Sequence, residues 1–501
     1  MSLSRAAVLA ALVSALGTIA PAQSLSELLP RLLSEGLTMP STVGTVAGNP
    51  HEAHFLPAAA QLKAPYALNG AMVTQLSTFP LGSSSGGFTY TTDRGTGIPE
   101  RSSNNFGPAF AERALTIGKG HFSAGFNFQH VEFERFEDQS LDGGLRFYLQ
   151  HNDCCPLQNP DGTPNPTGTG GPSPSTDKNP FFEGDLVRAD VTLNAQTDTF
   201  VLFANYGLTR RIDVGVALPI VRVEVDASIS STLERLATSG NPTIHSFGGQ
   251  SPDQRVARES GSSTGLGDVV LRAKWNVMPA PGGGLALGVD LRLPTGDENE
   301  LRGTGATQTK GSFYYTGEFG KFSPHINVGY TFSSGSIGSG TATYQLGDEA
   351  TVPTTTTAPV YTNVFRGQSP ESPLTEADLE VPDEIYYTAG FVVAAHPKVT
   401  LNADFIGRTL KDVNRFLVTP QSFNFRLPSA TGAPANPLQS RTFDDALDVV
   451  GRSDLRLLLG VVGVKINVSR TILLTANVLF PLSSDGLRPK VTPVIGIDYA
   501  F

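Results

Sequence analysis

From about residue 121 onward, apolar and polar residues alternate in stretches of roughly ten to fifteen residues, each ended by a break. In "LALGVDLRLP", Leu285, Leu287, Val289, Leu291 and Leu293 share one face, with Asp290 and Arg292 on the other. "DVVLRAKWNV" sets Val269, Leu271, Ala273, Trp275 and Val277 against Asp268, Arg272, Lys274 and Asn276. "TILLTANVLF" sets Ile472, Leu474, Ala476, Val478 and Phe480 against Thr475 and Asn477. Successive side chains of a strand point to opposite faces, so these stretches are strands with one apolar and one polar side.

Twelve such segments are predicted, at about 121–135, 186–207, 212–230, 265–278, 284–296, 309–318, 322–335, 383–395, 398–412, 453–467, 471–483 and 489–501. Every second connection is tight, centred on "TRRI", "APGG", "EFGK", "HPK" and "NVSR". The others are mostly long and rich in Gly, Ser, Thr and Pro, at 136–185, 231–264, 297–308, 336–382 and 413–452, with "SSDGLR" a short last member. A soluble sandwich also alternates, but it does not sort its connections by length onto two ends. Short turns at one end and long loops at the other, with an even strand number, predict an all-β transmembrane antiparallel barrel of the outer-membrane kind. The chain closes on "VTPVIGIDYAF", an amphipathic strand that would be an aggregating edge in water and is harmless when it pairs with the first strand. Tyr499 and Phe501 then fall at the periplasmic aromatic girdle, and a terminal strand of this kind resembles the signal read by the outer-membrane insertion machinery.

Two faults interrupt the alternation. Ile212, Val214, Val216, Leu218 and Ile220 share one parity, whereas Val221, Val223 and Val225 take the other; a bulge is predicted after Pro219, which has no N–H for the ladder. On the tenth strand Arg456 and Lys465 have opposite parity, so one of them belongs at a rim or past a bulge.

The first residues, "MSLSRAAVLAALVSALGTIAPAQS", read as a secretory signal cut after Ala22, since the apolar run from Ala6 to Leu16 falls short of the ~18–20 residues of a spanning helix. Residues 23–118 do not alternate. "SLSELLPRLLSEGL" has leucines at helical spacing, with Gly36 as its stop and Pro30 as an obstacle to a straight helix. "AMVTQLSTFPLGSSSGGFTYTTD" reads as two short strands around a Ser/Gly turn. The expected organisation is a signal peptide at 1–22, an N-terminal plug at 23–118 entering the lumen from the periplasm, and a barrel at 119–501. Adding the N-terminal hairpin to the wall would give fourteen strands instead of twelve.

Only 16% of residues are charged and the net charge is −10, against about 25% charged in ordinary soluble domains. No basic block appears, which excludes a nucleic-acid partner. Cys154 and Cys155 are adjacent and read as a loop-stiffening vicinal disulfide rather than a metal site, which would need further ligands. No cofactor and no metal are expected. "GSSSG" at 82–86 and "GSSTG" at 261–265 match the G-x-S-x-G pattern but read as Ser/Gly-rich turns without the strand-to-helix elbow of a hydrolase. "HEAH" (His51 to His54) lacks the spacing of a zinc protease, "TGTGG" is loop low complexity, and "GDENE" is a solvated acidic loop. No enzyme is expected.

Several phrases, "FPLGSSSGGFTYTTD", "FGPAFAERALTIGKG", "GLGDVVLRAKWNV", "GLALGVDLRLPTGDENELRGTG", "FSPHINVGYTF" and "TANVLFPLSSDGLRPKVTPVIGIDYAF", together resemble the outer-membrane transporter family named for the meta-pathway of phenol degradation. The resemblance runs from about residue 74 to the C-terminus with gaps at the long loops. It implies a barrel for uptake of small, often aromatic or hydrophobic compounds, akin to fatty-acid and hydrocarbon channels. It carries no defined binding residues.

Parity alone places Asp268, Arg272, Lys274, Asp290, Arg292, His325, Asn327, Asn402, Asp404, Arg408, Asn477 and Asp498 in the lumen, where charges select solutes or pair across the wall and hold the plug. Phe79, Phe88, Phe106 and Phe110 would give the plug an apolar wall. The expected function is passive uptake of small hydrophobic or aromatic solutes across the bacterial outer membrane. The alternatives are a general porin for polar solutes and a non-transporting barrel whose long loops bind a surface partner.

Overall fold

The computed structural model describes residues 24–37, 39, 68, 70–72, 74–76, 80, 87–92, 99–101, 103–150, 184–237, 245–337, 379–425, 427, 437, 439–469 and 471–500. Twelve antiparallel strands form the wall: β1 (Phe122–Phe136), β2 (Leu186–Gly207), β3 (Ile212–Glu234), β4 (Val270–Ala280), β5 (Gly283–Arg292), β6 (Thr307–Thr316), β7 (Phe322–Ser334), β8 (Glu384–His396), β9 (Val399–Phe425), β10 (Gln439–Ser469), β11 (Ile472–Pro481) and β12 (Thr492–Ala500). Each bonds to the next, and β12 returns to β1 with Ile495 opposite Phe128 and Tyr499 opposite Ala124. The barrel is closed, so the twelve-stranded ring has no free edge strand to satisfy in lipid. The hairpin strand Tyr90–Thr92 pairs with Pro99–Arg101 and not with the wall, which leaves the wall count at twelve rather than fourteen.

The five tight turns lie at one end, which is the periplasmic end of such a barrel. Near it, Leu202, Tyr206, Val214, Leu218, Trp275, Leu287, Phe322, Phe391, Leu474, Ile497 and Tyr499 turn outward and are exposed. An apolar belt of this extent would aggregate in water and is stable only against lipid. Tyr206, Trp275, Phe322, Phe391 and Tyr499 form its aromatic border, with Phe319 in the β6–β7 turn beside them. The protein is an outer-membrane β-barrel. Phe501 lies outside the described residues, as do the leader 1–22, Cys154 and Cys155.

The parity change on β3 has a different cause from the one expected. The β2–β3 register runs from Gly207↔Asp213 to Leu186↔Glu234 without a shift, so there is no bulge after Pro219. Even-numbered residues point outward along most of the strand. Up to Ile220 the outside is lipid and these positions are Val214, Leu218 and Ile220; beyond it they become Arg222, Glu224 and Asp226. Inward positions change in the opposite sense, to buried Val223, Val225, Ala227 and Ile229. The strand crosses from membrane into water while its geometry continues. Arg456 is likewise the rim residue of its pair: it is exposed opposite Thr409, whereas Lys465 is buried inside, with no shift between them.

The long connections 231–264 and 413–452, expected as loops, are largely strand. Gln254–Leu266 pairs with the upper half of β3, and β9 and β10 continue as a hairpin to Phe425 and Gln439. A further strand, Leu145–Gln150, pairs with the upper end of β2, and its Tyr148 ring sits 5.7 Å from that of Phe423 and 5.2 Å from that of Phe443. The wall thus rises beyond the membrane. "GSSTG" belongs to this extension as extended strand, not as a turn; a Cβ on Gly261 would lie 2.5 Å from Leu25 Cδ2, so the small residue admits the plug.

The plug fills the lumen in two parts. Leu28–Leu37 is a helix, α1, preceded by a 3₁₀ turn at Leu25–Glu27. Pro30 falls in the first turn of α1, where no intrahelical N–H is required. Gly36 lies inside α1 rather than at its stop, and a Cβ there would meet Ile229 Cγ2 at 2.2 Å. Leu25, Leu28, Leu29, Leu32, Leu33 and Leu37 are all buried against Val223, Val225 and Ile229 of β3 and the Gln254–Leu266 strand. Each is worth about 1.5–3 kcal/mol of burial. Ser24 Oγ and the Ser26 N–H donate to Asn299 O in the outer β5–β6 loop (2.8 and 2.9 Å), so α1 sits at the extracellular end. The residues described at 70–72 and 74–76 are helical, not strand. Leu68, Met72 and Leu76 recur every fourth residue and are buried in the same cluster, a helical period inside a stretch that reads as strand.

Residues 103–118 close the periplasmic half with directed polar bonds. The Phe106 N–H donates to Thr400 Oγ1 (3.1 Å), that of Ala114 to Thr316 Oγ1 (3.0 Å) and that of Ile117 to Asp213 Oδ2 (3.0 Å). Lys465 Nζ donates to Pro108 O at 2.7 Å and Phe106 O at 3.4 Å.

Candidate functional site

β4 to β9 contribute residues around a cavity of about 100 Å³ at mid-lumen, with Pro80, Phe110 and Glu112 of the plug on the remaining side. Arg272, Asp290, Arg292, Asn327 and Arg408 all line it. Register explains their convergence: Asp290 lies opposite Arg272 on one side and Lys310 on the other. Arg272 reaches Glu112 at 3.2 Å and Asp290 at 3.6 Å; Lys310 reaches Asp290 at 2.8 Å and Arg408 reaches Glu384 at 2.5 Å. Buried pairs of this kind cost desolvation as well as gaining attraction, so losing one partner is expensive, about 3–5 kcal/mol.

The other parity-placed residues are inside or beside this ring. Lys274 stands 3.7 Å from Asp213 and lines a neighbouring cavity of about 30 Å³ with Arg272, Asp290 and Tyr314. His325 Nε2 lies 2.8 Å from Asp404 Oδ1, and Asn402 Nδ2 donates to Asp404 Oδ2 at 3.4 Å. Asn477 and Asp498 are buried on the far wall. Asp268 is buried, supplies the leading opposing charge on Arg292, and anchors an outer loop. Its carboxylate accepts from the Gly296 and Thr304 N–H groups (3.1 and 2.9 Å) and from Thr304 Oγ1 (2.9 Å).

The plug phenylalanines divide similarly. Phe88 and Phe106 meet edge to face at 5.5 Å, with the Arg101 guanidinium over both rings, and pack on Leu473 and Ala500. Phe110 packs on Ile406, Leu459, Val461, Leu479 and Val494 and borders the main cavity. Phe79 lies outside the described residues. Arg113 is buried beneath, donating to Gly87 O at 3.1 Å and Asn105 O at 3.4 Å; burial, then the neighbouring Arg101, pulls its guanidinium down to about 10.

Sequence reasoning missed Lys310, Tyr314, Glu384, Tyr386 and Glu112. The first two were readable, because Gln308, Lys310, Ser312 and Tyr314 share the inward parity of β6. Glu112 carried no signal, as the plug has no period. Tyr386 was masked by its neighbour Tyr387, which has the same type and the opposite face.

Two further cavities lie outward of these. One of about 30 Å³ is bounded by Gln75, Pro80, Phe133, Ile406, Arg408, Leu457 and Leu459. The other, about 40 Å³, is bounded by Gln75, Phe136, Leu410, Phe416 and Leu455 toward the extracellular rim. Adjacent cavities share walls: Gln75 joins the outer two, Pro80 and Arg408 join the next to the main cavity, and Arg272, Asp290 and Tyr314 join that to the innermost.

Residues 173–366 match the family model described as the "MetA-pathway of phenol degradation". The family resemblance read from the sequence holds. The matched stretch contains "GLGDVVLRAKWNV" and "GLALGVDLRLPTGDENELRGTG", that is β2 to β7 of the wall. No curated protein matches the chain. Among solved structures, an outer membrane channel from Pseudomonas putida F1 is 12% identical, with a TM-score of 0.33, over 77% of this chain and 97% of that one. A FadL homologue of Pseudomonas aeruginosa is 9% identical (TM-score 0.28; 84% and 98% covered). The toluene transporter TbuX of Ralstonia pickettii is 10% identical (TM-score 0.25; 77% and 90% covered). At these identities each likeness is distant.

Proposed function

We propose that the barrel is an outer-membrane channel for passive uptake of small hydrophobic or aromatic compounds. The carrying observation is the row of four small cavities with shared walls, leading from the extracellular rim past the plug to the periplasmic half. Such a row conducts by successive binding; a wide water column would give an apolar solute no attraction. The outer stations carry Leu410, Leu455, Leu457, Leu459, Phe133 and Phe416 together with Glu137, Asp412, Arg452, Asp485 and Arg488, and their apolar surface suits an apolar solute leaving water.

The test is twofold. In a planar bilayer the full-length protein is expected to insert without large, steady conductance steps. In porin-depleted cells its expression is expected to raise uptake of labelled small aromatic solutes several-fold. Large steady steps would sink this reading and establish a porin for polar solutes, the second reading, which the charged inner half favours. Insertion with no uptake of any solute would leave a surface-interaction barrel.

A further inference from the structure

The inner rim of the wall carries charge of one sign. Arg210 and Arg211 occupy the β2–β3 turn, Lys321 the β6–β7 turn and Lys398 the β8–β9 turn, and Lys119 precedes β1; all five are exposed. They gather in two sectors. The Gly120 N–H donates to Gly207 O (2.7 Å) and Thr116 Oγ1 to Arg210 O (3.0 Å), which sets Lys119 beside the two arginines. Lys321 and Lys398 stand on neighbouring hairpins joined by the β7–β8 ladder. Among the described residues of the five tight turns and of 119–121, Glu318 is the one carboxylate, and it accepts from Ser103 Oγ (2.8 Å) and Asn104 Nδ2 (3.2 Å).

The outer end of the wall is built differently. Where β1, β2 and β3 leave the membrane, His130 lies 2.7 Å from Asp198, Lys490 lies 2.5 Å from Glu132 and Arg222 meets Glu224. Charges there are answered within the chain. Among the described residues, none of the five inner cations has such a partner, so their charge is left for something outside it. Their height decides what that is. Lys321 adjoins Phe322 of the aromatic border, and Arg211 adjoins Ile212, which lies opposite Trp275. Steps of ~3.3 Å per residue carry these side chains from the border into the headgroup layer, which is ~5–8 Å deep on each side of the hydrocarbon. The periplasmic leaflet of an outer membrane is phospholipid, and a guanidinium grips a phosphate through two parallel N–H donors.

We infer that the inner rim is a docking surface for anionic phospholipid headgroups, with phosphates on Arg210, Arg211 and Lys119 in one sector and on Lys321 and Lys398 in the other. The rim fixes the depth of the barrel by electrostatic contact, beside the apolar belt. The inference needs only the placement in the membrane and is independent of what the channel carries.

Trp275 is the chain's single tryptophan and stands at this border, so its fluorescence reads the local lipid. The full-length protein is reconstituted in vesicles of phosphatidylcholine and phosphatidylglycerol, with one or the other brominated in its acyl chains to quench the indole. Phosphatidylglycerol is expected to be enriched at the border about fivefold, equivalent to one cation's attraction to an anionic surface. The preference should vanish in ~1 M salt, where the screening length is ~3 Å. Arg210→Gln combined with Arg211→Gln is expected to bring the enrichment close to one, while lysine at both positions keeps most of it. Phe332 is exposed at the outer border, and Phe332→Trp in a Trp275→Phe chain is expected to show no preference. The heat-modifiable shift in electrophoretic mobility confirms that each variant is a folded barrel, and the two-lipid comparison on the unmodified protein stands without any variant. Equal quenching by the two lipids would overturn the lipid surface and leave the rim to an acidic soluble partner. A preference that survives the double glutamine variant, or one equally large at position 332, would overturn it as well.

Discussion

The two halves of the lumen are filled by one stretch of chain in two physical styles. In the outer half α1 and the 3₁₀ turn before it lay six leucines against an apolar inner wall; that contact is non-directional and tolerates sliding. In the inner half residues 103–118 hang from Thr400, Thr316, Asp213 and Lys465 by hydrogen bonds at fixed positions. The wall has changed accordingly. β3 is apolar inside where it meets α1 and carries Asp213 inside where it meets Ile117. The difference teaches that an outer-membrane strand inverts its polarity at the water line, because its outer face exchanges lipid for water while its inner face gains a helix to bury.

The comparison can be broken by variants that strike one half. Removing residues 24–118 empties both and has the largest expected effect: a protein silent in a planar bilayer becomes one with large, steady conductance steps. Leu32→Ala removes a fully buried side chain from α1 and is expected to cost about 2–5 kcal/mol. Amide exchange should then accelerate throughout α1 and stay unchanged at 103–118. Lys465→Met leaves the Pro108 and Phe106 carbonyls without that donor, at about 1–3 kcal/mol; exchange should quicken at 103–118 and stay slow in α1. If either variant loosens both halves equally, the plug is one unit and the distinction fails.

The smallest effect concerns acid. In the connections above the membrane, His245 Nδ1 lies 2.7 Å from Asp185 Oδ2, with both side chains fully buried. Burial holds the imidazole below its ordinary 6.5, against the pull of Asp185. The opened form therefore takes up the proton more readily, and stability is lost as pH falls below about 6.5. Protease nicking near residue 245 is expected to be faster at pH 5 than at pH 7.5, and His245→Asn should remove that dependence. An unchanged ratio would mean that the pair does not control this extension.

The membrane-spanning wall was legible because lipid imposes one rule on every outward residue: twelve strands, their order and their turns follow from alternation. The extension above the membrane was hidden by the same rule. Where Arg222, Glu224 and Asp226 take the outer positions of β3, an alternation read as apolar-out registers a fault, and a bulge was assigned to an uninterrupted ladder. Serine- and glycine-rich "GSSTG" resembled a turn because glycines were needed beside Leu25 and Arg302. In the lumen, parity found Arg272, Asp290, Arg292 and Arg408 but not that Asp268 turns to the Thr304 loop, since a side chain's partner in a loop leaves no periodic trace. The plug's helix at 25–37 declared itself through leucine spacing; Glu112 and Arg113 could be found only once the chain was folded.

The plug touches both mouths of the barrel. Ser24 and Ser26, just ahead of α1, bond Asn299 at the outer rim, whereas Ile117 bonds Asp213 near the inner mouth, with β1 starting just beyond. One segment is thereby fastened at the two ends of a closed wall, so it braces the cylinder along its length as well as filling it.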